Sequence, residues 1–157
     1  GCNRVKRKEI YWNIGMTDVT EKPVIRQRAE AAGKIYLSPD AIKKINQGRI
    51  KKGDPLLVAE VAAMNAAKQT HLLIPHCHQI PLDMVKVIFE VSEDFIGARC
   101  LVRTHARTGV EMEALVGVTI ALNTIWDMAK YLEKDGEGQY PSTMITDIRV
   151  IKKEKEG

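Results

Sequence analysis

The order of strand and helix patterns along the chain predicts an α+β fold in one domain. The length of 157 residues favours a single compact unit. Met84 to Val91 and Ala98 to His105 alternate apolar and polar residues, as half-buried strands do. Leu56 to Ala67 and Ala114 to Trp126 are instead apolar on most sides, which is typical of buried helices.

The first strand is predicted from Val24 to Leu37, and a helix follows it directly. Ser38 is a good N-cap for this helix, because its hydroxyl can accept a bond from a free backbone N–H. Pro39 suits the first helical turn, where the N–H that it lacks would have no partner. Gly48 is expected to end the helix.

The second helix begins after Asp54, with Pro55 at its first position, and runs to about Thr70. Between Leu56 and Ala67 its only charged residue is Glu60. A domain of this size cannot surround such a helix by itself, and a second apolar helix lies further along the chain. We therefore expect an oligomer whose subunits pack on these helices.

The rest of the chain predicts a hairpin, a long helix and a last strand. The turn from Ser92 to Gly97 joins the two alternating strands. The helix covers Val110 to about Lys134, the last strand covers Met144 to Ile151, and a charged tail follows from Lys152 to Gly157. The elements thus run β, α in two pieces, β, β, α, β. This is the ferredoxin-like βαββαβ order, an antiparallel sheet with helices on one face.

Residues 1–15 are predicted to form a basic arm, and residues 16–157 to form the single domain. A short strand is expected within the arm at Ile10 to Trp12. The basic residues of the arm are Arg4, Lys6, Arg7 and Lys8. We interpret the arm as a solvated terminus in preference to a phosphate-seeking segment.

Composition and charge favour an anionic small molecule as the ligand. There are 24 Lys and Arg residues against 20 Asp and Glu, a net charge of +4, with a pI near 9.0. This charge is low for a protein dedicated to nucleic acids, so we expect no nucleic-acid partner. Three widely spaced cysteines, Cys2, Cys77 and Cys100, argue against a disulfide framework and favour the cytoplasm. The longest uncharged stretch, Ala114 to Trp126, is too short to span a membrane, and we expect neither a membrane span nor a signal peptide.

Two groups of candidate site residues lie at helix starts. Lys51 and Lys52 precede the second helix, where free N–H groups and the macrodipole attract anions. They form either a phosphate site or a solvated turn capped by Asp54, and this segment alone favours the turn. Glu111 and Glu113 begin the long helix, where the dipole favours carboxylates. Because they diverge by about 200° around a helix, at most one is expected to face a given pocket.

A third candidate is the run of His76, Cys77 and His78. Neighbouring side chains of an extended segment alternate faces, and no second ligand pair with zinc spacing occurs. We therefore expect no metal. Acid–base or hydrogen-bonding work by His78 is favoured over metal binding, with an ordinary loop histidine as the alternative.

The fourth candidate is Asp127 with Lys130, three residues apart on one helix face. An exposed pair of this kind would be ordinary. Asp127 ends an uncharged stretch, however, so we expect partial burial, and a buried lysine would have a lowered pKa. Arg103 and Arg107, on a strand and the loop after it, are either phosphate ligands or exposed side chains.

Several of these segments occur together in one known family. Over residues 15–151 the chain resembles the MoaC family, the cyclic pyranopterin monophosphate synthases of molybdenum cofactor biosynthesis. The motifs that match, in the family's order, are Met16 to Val19, Lys52 to Asp54, Leu73 to His78, Thr108 to Leu115 and Thr124 to Lys130. The TGVEMEAL run is the most specific of them.

The resemblance implies a lyase with a ferredoxin-like fold. Such enzymes convert 3',8-cyclo-7,8-dihydro-GTP to cyclic pyranopterin monophosphate and release pyrophosphate. They assemble as homohexamers, described as trimers of dimers, with active sites at a subunit interface. No cofactor is required, and the sequence leaves open whether Mg²⁺ accompanies the substrate phosphates. The single domain of residues 16–157 is then a catalytic domain.

The resemblance also assigns roles to individual residues. Catalytic roles fall on Asp127, Lys130 and Lys52, with the two lysines as acid and base and the aspartate orienting or deprotonating one of them. Substrate-binding roles fall on His76, Cys77, His78, Glu111, Met112, Glu113, Arg26, Arg103 and Arg107.

Three residues depart from the family pattern without removing a charged catalytic group. Gln79 stands where proline is usual, His76 where an apolar residue is usual, and Trp126 where tyrosine is usual. Two alternatives to the synthase remain. An RNA-binding ferredoxin-like module would stack bases on strand aromatics, for which the sequence offers Phe89 and little else. A non-catalytic nucleotide-binding protein would bind the substrate and release no pyrophosphate.

Overall fold

The computed structural model describes residues 5–7, 10–12 and 15–156 and has the predicted α+β architecture. Arg4, Lys8 and Cys2 lie outside the described residues, as does the end of the charged tail at Gly157. The elements are β1 (Val5–Arg7), β2 (Ile10–Trp12), β3 (Ile25–Tyr36), α1 (Pro39–Asn46), α2 (Pro55–Lys68), α3 (Thr70–Leu73), β4 (Met84–Val91), β5 (Phe95–Ala106), α4 (Glu111–Glu133) and β6 (Met144–Glu156).

The main sheet has four strands in the order β4-β5-β3-β6, and every neighbouring pair is antiparallel. With the helices between these strands in the chain, this confirms the ferredoxin-like βαββαβ arrangement. β1 and β2 form a separate antiparallel ribbon, so the short strand expected at Ile10 to Trp12 is present. None of the helices in the described part of the chain is long and apolar enough to cross a membrane.

The helix starts and stops follow the predicted signals. The Ser38 side chain accepts a hydrogen bond from the N–H of Ala41 at 3.2 Å, and Asp54 accepts one from the N–H of Leu56 at 3.0 Å. Gly48, just after α1, has a φ of +67°, which glycine adopts without steric cost. α2 ends slightly earlier than predicted, and the short α3 follows it.

Two strands are longer than the sequence predicted. β5 begins at Phe95, so the hairpin turn ends there and does not extend to Gly97. β6 continues to Glu156 through the segment that was expected to be a charged tail. The reason is pairing: Arg26, near the start of β3, lies opposite Glu156, so the whole segment has a partner strand. Because charged residues lie on both faces of this part of the edge strand, the alternation of apolar and polar residues that predicts a strand is absent there.

The core lies between the sheet and α4. A Cβ on Gly33 of β3 would lie 2.7 Å from Cδ1 of Leu122, so the glycine lets α4 pack closely on the sheet. Phe89 packs against this core and therefore is not available for stacking on the uncovered face. Tyr36 and Phe95 instead alternate with buried neighbours and lie on the face without helices, which we call the open face.

α2 is less buried within one subunit than its composition predicted. The residues it buries are mainly alanines, and its packing partner is α4. Leu57, Val58 and Val61 are 58%, 41% and 45% exposed. Exposed apolar residues continue on and just after α3. We call the set the α2 patch: Leu57, Val58, Val61, Leu72, Leu73 and Ile74.

Candidate functional site

Asp127 bridges two lysines that come from different parts of the chain. Nζ of Lys130 lies 3.0 Å from Oδ1 of Asp127, one turn away on α4, which is the pair that the spacing predicts. Nζ of Lys52 lies 3.2 Å from Oδ2 of the same carboxylate and also donates to the Asp127 backbone carbonyl. The structure thus brings together all three residues to which the resemblance gave catalytic roles.

The turn before α2 holds Lys52 against α4. The N–H of Lys51 donates to the Tyr131 hydroxyl at 3.0 Å, and Nζ of Lys51 lies 5.2 Å from the centre of that ring. Gly53 has a φ of +116°, a conformation that other residues rarely adopt. Because Tyr131 lies one turn beyond Asp127 on α4, these contacts place the Lys52 side chain within contact distance of the Asp127 carboxylate.

This cluster is exposed, and the expectation of partial burial is wrong for the single subunit. The side chains of Lys52, Asp127 and Lys130 are 48%, 56% and 39% exposed. Hydrogen bonds from Lys130 and Lys52 hold the pKa of Asp127 below its usual value. The bond to Asp127 likewise raises the pKa of Lys130, where burial would have lowered it. At neutral pH Asp127 is therefore ionised and Lys130 is protonated.

A second group of predicted residues surrounds a cavity of about 300 Å³ at the N-terminal end of α4. The loop after α3 and the first turn of α4 supply its predicted members: His76, Cys77, His78, Glu111, Met112 and Glu113. Nε2 of His78 lies 2.7 Å from the carbonyl oxygen of Thr17. A carbonyl only accepts, so this Nε2 carries the proton and Nδ1 is left for a ligand.

Both carboxylates at the start of α4 line this cavity, so the expectation that at most one would do so is wrong. Glu113 is 4% exposed, and burial raises the pKa of its carboxyl. Glu111 is the first residue of the helix, where the side chain is free to extend past the helix end. Its Oε1 lies 3.1 Å from Nζ of Lys153. Burial, followed by the charge of Glu113, raises the pKa of the Cys77 thiol, which stays protonated at neutral pH.

Lysines of the last strand belong to this cavity, and sequence reasoning missed them. Lys153 and Lys155 line it, together with Lys22 from the loop before β3. The intervening Glu154 lines a different cavity, on the open face. Alternation of Lys and Glu after Ile151 has the period of a strand, and that was the signal available in the sequence.

The three arginines with predicted substrate roles do not converge on this cavity within one subunit. Arg107 lies in an adjoining depression, to which His78 also contributes. Arg26 and Arg103 line the cavity on the open face, which shares none of its lining residues with the cavity at the start of α4. Arg26 contacts Glu156 there at 3.8 Å.

The two groups of site residues are far apart in one subunit. Asp127 lies fourteen positions after Glu113 on α4, which is about 21 Å at the helical rise of ~1.5 Å per residue. The cluster at Asp127 and the cavity at Glu113 are therefore separate places on the chain. Within the described residues, no three His, Cys, Asp or Glu side chains are grouped so that they could hold a metal ion.

Comparison with known proteins decides the family. The model of the MoaC family matches residues 16–156, which is nearly the whole chain. The chain belongs to the MoaC family. The match includes both groups of site residues described above.

Curated relatives align along most of their own length as well. A Pyrococcus abyssi protein named "Probable cyclic pyranopterin monophosphate synthase" is 51% identical over 142 residues, 90% of this chain and 89% of that protein. A Sulfolobus acidocaldarius protein with the same name is 50% identical over 140 residues, 89% of this chain and 98% of that protein. A Methanothermobacter thermautotrophicus protein, 52% identical over 142 residues, 90% of this chain and 89% of that protein, is named "Probable cyclic pyranopterin monophosphate synthase accessory protein".

Proposed function

We propose that this chain is a cyclic pyranopterin monophosphate synthase of molybdenum cofactor biosynthesis. It is a lyase that converts 3',8-cyclo-7,8-dihydro-GTP to cyclic pyranopterin monophosphate with release of pyrophosphate. The observation that carries the proposal is the cluster in which Asp127 contacts both Lys52 and Lys130. Membership of the MoaC family and the names of the Pyrococcus and Sulfolobus relatives support it.

The cluster suits a rearrangement that needs proton transfers and expels an anion. Lys130 enters the reaction protonated, because its contact with Asp127 raises its pKa, so it acts first as the acid. Lys52, on the other oxygen of the same carboxylate, is the second member of the acid–base pair. Two ammonium groups beside the leaving pyrophosphate also stabilise the negative charge that develops on it.

The cavity at the start of α4 is the proposed substrate-binding half of the site. Lys153, Lys155 and Lys22 supply positive charge for the phosphates. Glu113 and His78 supply an acceptor and a ring nitrogen for the reacting ring system. His76, Cys77 and Met112 complete the wall, and Glu111 positions Lys153.

We propose that the active site forms between subunits, since one chain separates its two halves. The cluster at Asp127 of one subunit then faces the cavity at Glu113 of another. Arg26 and Arg103 contribute to binding only if an adjacent subunit brings the open face to the substrate. The α2 patch supports association, because a monomer leaves these large apolar side chains in water. The proposed assembly is a homohexamer built as a trimer of dimers.

We propose that no resident metal or cofactor takes part and that Mg²⁺ enters only with the substrate phosphates. The ammonium groups of the site can neutralise phosphate charge themselves. We place the enzyme in the cytoplasm, where the free thiols of Cys77 and Cys100 stay reduced. Addition of EDTA to a purified, substrate-supplied reaction tests the first point, with undiminished turnover expected.

A coupled assay tests the activity directly. The upstream radical enzyme generates the cyclised dihydro-GTP in place, and pyrophosphate and cyclic pyranopterin monophosphate are followed with wild-type protein and with Asp127→Ala. Product from the wild type and none from the folded variant is expected. Product from both would remove Asp127 from the mechanism.

A binding role without catalysis is the second candidate, and the name of the Methanothermobacter relative favours it. An accessory protein would retain the cavity at the start of α4 and bind the substrate with no release of pyrophosphate. In the coupled assay it would yield no product from a folded, oligomeric wild type. The contact of Lys52 and Lys130 with one carboxylate favours the synthase, since binding alone does not need it.

A further inference from the structure

The open face of the sheet carries a second cavity, of about 500 Å³, besides the one that Arg26 and Arg103 line. This second cavity is separate from both halves of the proposed active site. Its volume is within the usual range of small-molecule sites. Gly97 and Ala32 keep its floor low, and a Cβ added to Gly97 would meet no atom closer than 3.9 Å. Longer side chains form its walls: Lys34, Ile88, Glu90, Phe95, Arg99, Asp147 and Arg149.

One wall of this cavity is aromatic and cationic. Phe95 on β5 lies directly across from Tyr36 on β3, with ring centres 5.7 Å apart. Nζ of Lys34 lies 4.7 Å from the centre of the Phe95 ring. Aromatic rings next to cations on a sheet surface are the groups on which proteins stack nucleotide bases.

The cations around the cavity are incompletely paired. Within residues 15–156, neither Lys34 nor Arg149 lies within ion-pair distance of a carboxylate. Arg99 reaches Glu30 only at 3.5 Å. Lys34 and Arg149 are thus available to a phosphate group, and Arg99 reaches one by exchanging its contact with Glu30.

The irregular backbone of β6 explains how Asp147 comes to line this cavity. The register of β6 against β3 shifts between Ala32 and Lys34, which leaves Asp147 and Ile148 together opposite Gly33. Ile148 occupies the space above Gly33: Cγ1 of Ile148 lies 3.0 Å from the position that a Cβ on Gly33 would take. Asp147 takes a left-handed φ of 59° and lines the open face. Its carboxylate and that of Glu90 can accept hydrogen bonds from base amino groups or ribose hydroxyls.

We propose that this cavity binds a nucleotide, with the base against Phe95 and the phosphate on Lys34, Arg99 and Arg149. The mixture of an aromatic wall, cations and hydrogen-bond acceptors matches the three parts of a nucleotide. The nucleotide is either free in solution or part of a single-stranded RNA, because both present a base and a phosphate. The site is independent of the proposed synthase activity.

Fluorescence anisotropy with two probes tests the proposal and distinguishes the two sources. The probes are a fluorescent ATP analogue and a fluorescein-labelled oligouridine RNA, each titrated with the full chain. Phe95→Leu is expected to weaken binding about tenfold or more, because stacking on an aromatic ring contributes ~1–3 kcal/mol per base. Arg149→Glu is expected to weaken it as well, because it replaces a cation at the phosphate with an anion. Lys43→Glu, the same change of charge on an exposed residue of α1, is the matched control and leaves binding unchanged.

Each outcome of these titrations bears on the proposal. Binding of the ATP analogue alone assigns the site to free nucleotides, and salt-sensitive binding of the RNA assigns it to a single strand. Binding of neither probe overturns the proposal, as does binding that both variants leave intact. Loss of binding in Lys153→Ala, with Phe95→Leu unaffected, would place the nucleotide in the active site instead.

Circular dichroism verifies that the variants fold. Arg149 is exposed on the edge strand, so its substitution leaves the core untouched.

Discussion

Nζ of Lys52 lies 3.2 Å from Oδ2 of Asp127, although 75 residues separate the two in the sequence. Lys52 comes from the turn before α2, and Asp127 from the second half of α4. Lys130 contacts the other oxygen of the same carboxylate. One aspartate thus orients two lysines from different elements. An incidental ion pair on the surface of α4 would explain the contact with Lys130 but not the contact with Lys52.

Asp127→Asn is expected to reduce turnover about 100-fold or more, because the amide cannot hold two ammonium groups as a carboxylate does. The side chain is exposed, so the melting temperature should hardly change. Steady-state release of pyrophosphate and a thermal melt measure the two effects. Asp40→Asn, which breaks the exposed pair with Lys44 on α1, is the matched control and keeps full activity. Normal turnover by Asp127→Asn would remove the cluster from the chemistry.

Glu113→Gln is expected to stabilise the protein near neutral pH. The folded protein holds the Glu113 proton more tightly than the unfolded chain, because burial raises the pKa above 4.5. This group therefore favours folding below pH 4.5 and loses that contribution as the pH rises through the raised pKa. Glutamine avoids the charge, so its melting temperature exceeds that of the wild type by a few degrees near neutrality.

Thermal melts of Glu113→Gln as a function of pH provide the check. The advantage of the variant should shrink as the pH falls through the raised pKa of Glu113 and should be gone below pH 4.5, where the carboxyl is neutral in the folded and the unfolded wild type. Glu111→Gln is the control, and it should bring no such gain because Glu111 is paired with Lys153. A stability difference for Glu113→Gln that is independent of pH would contradict a raised pKa of the buried Glu113 carboxyl.

Lys153→Ala is expected to raise KM more than it lowers kcat, because the lysine lines the substrate cavity and not the catalytic cluster. A tenfold or larger effect is reasonable for loss of a charged contact, which is worth about 1.5–3 kcal/mol. Lys152→Ala is the matched control, because Lys152 pairs with Glu154 at 3.0 Å and is absent from the cavity lining. Equal kinetic effects of the two variants would show that net charge, and not this cavity, matters.

Much of the fold could be predicted from local signals. Ser38 and Asp54 cap the helices that they were expected to cap, and Met84 to Val91 is a strand with the predicted bounds. The end of β6 could not be predicted from hydrophobicity, because Lys153 and Glu154 face different cavities and neither is apolar. Its pairing depends on β3, more than a hundred residues earlier in the chain.

The sequence predicted neither the division of the candidate residues into two groups nor the lysines of β6 that line the cavity. The motifs identified Asp127 and Glu113, yet only the length of α4 shows that about 21 Å separates them. Partial burial of Asp127 was inferred from its apolar neighbours, but in a single subunit the polar end of the stretch lies in water. Placement of Arg26 on the open face follows from strand alternation beside the buried Gln27.

Leu57→Lys is expected to dissociate the assembly, because it places a charge in the exposed apolar patch on α2. Loss of the oligomer should remove activity as well, since the proposed site needs two subunits. Light scattering coupled to size-exclusion chromatography reports the mass. Val24→Lys introduces the same charge at another exposed apolar residue outside the patch and should leave the mass unchanged. A monomeric wild type with full activity would contradict this part of the account.

Mixing two impaired variants, assayed at a substrate concentration below the wild-type KM, tests the central claim, a synthase site shared between subunits, most directly. Asp127→Asn lacks the catalytic half, and Lys153→Ala lacks a residue of the binding half. Coexpression of the two should restore product formation, because about a quarter of the sites in randomly mixed dimers receive two intact halves. Pyrophosphate release by the mixed assemblies that is no faster than release by Lys153→Ala alone, when mass spectrometry shows both variants in one oligomer, would contradict the shared site.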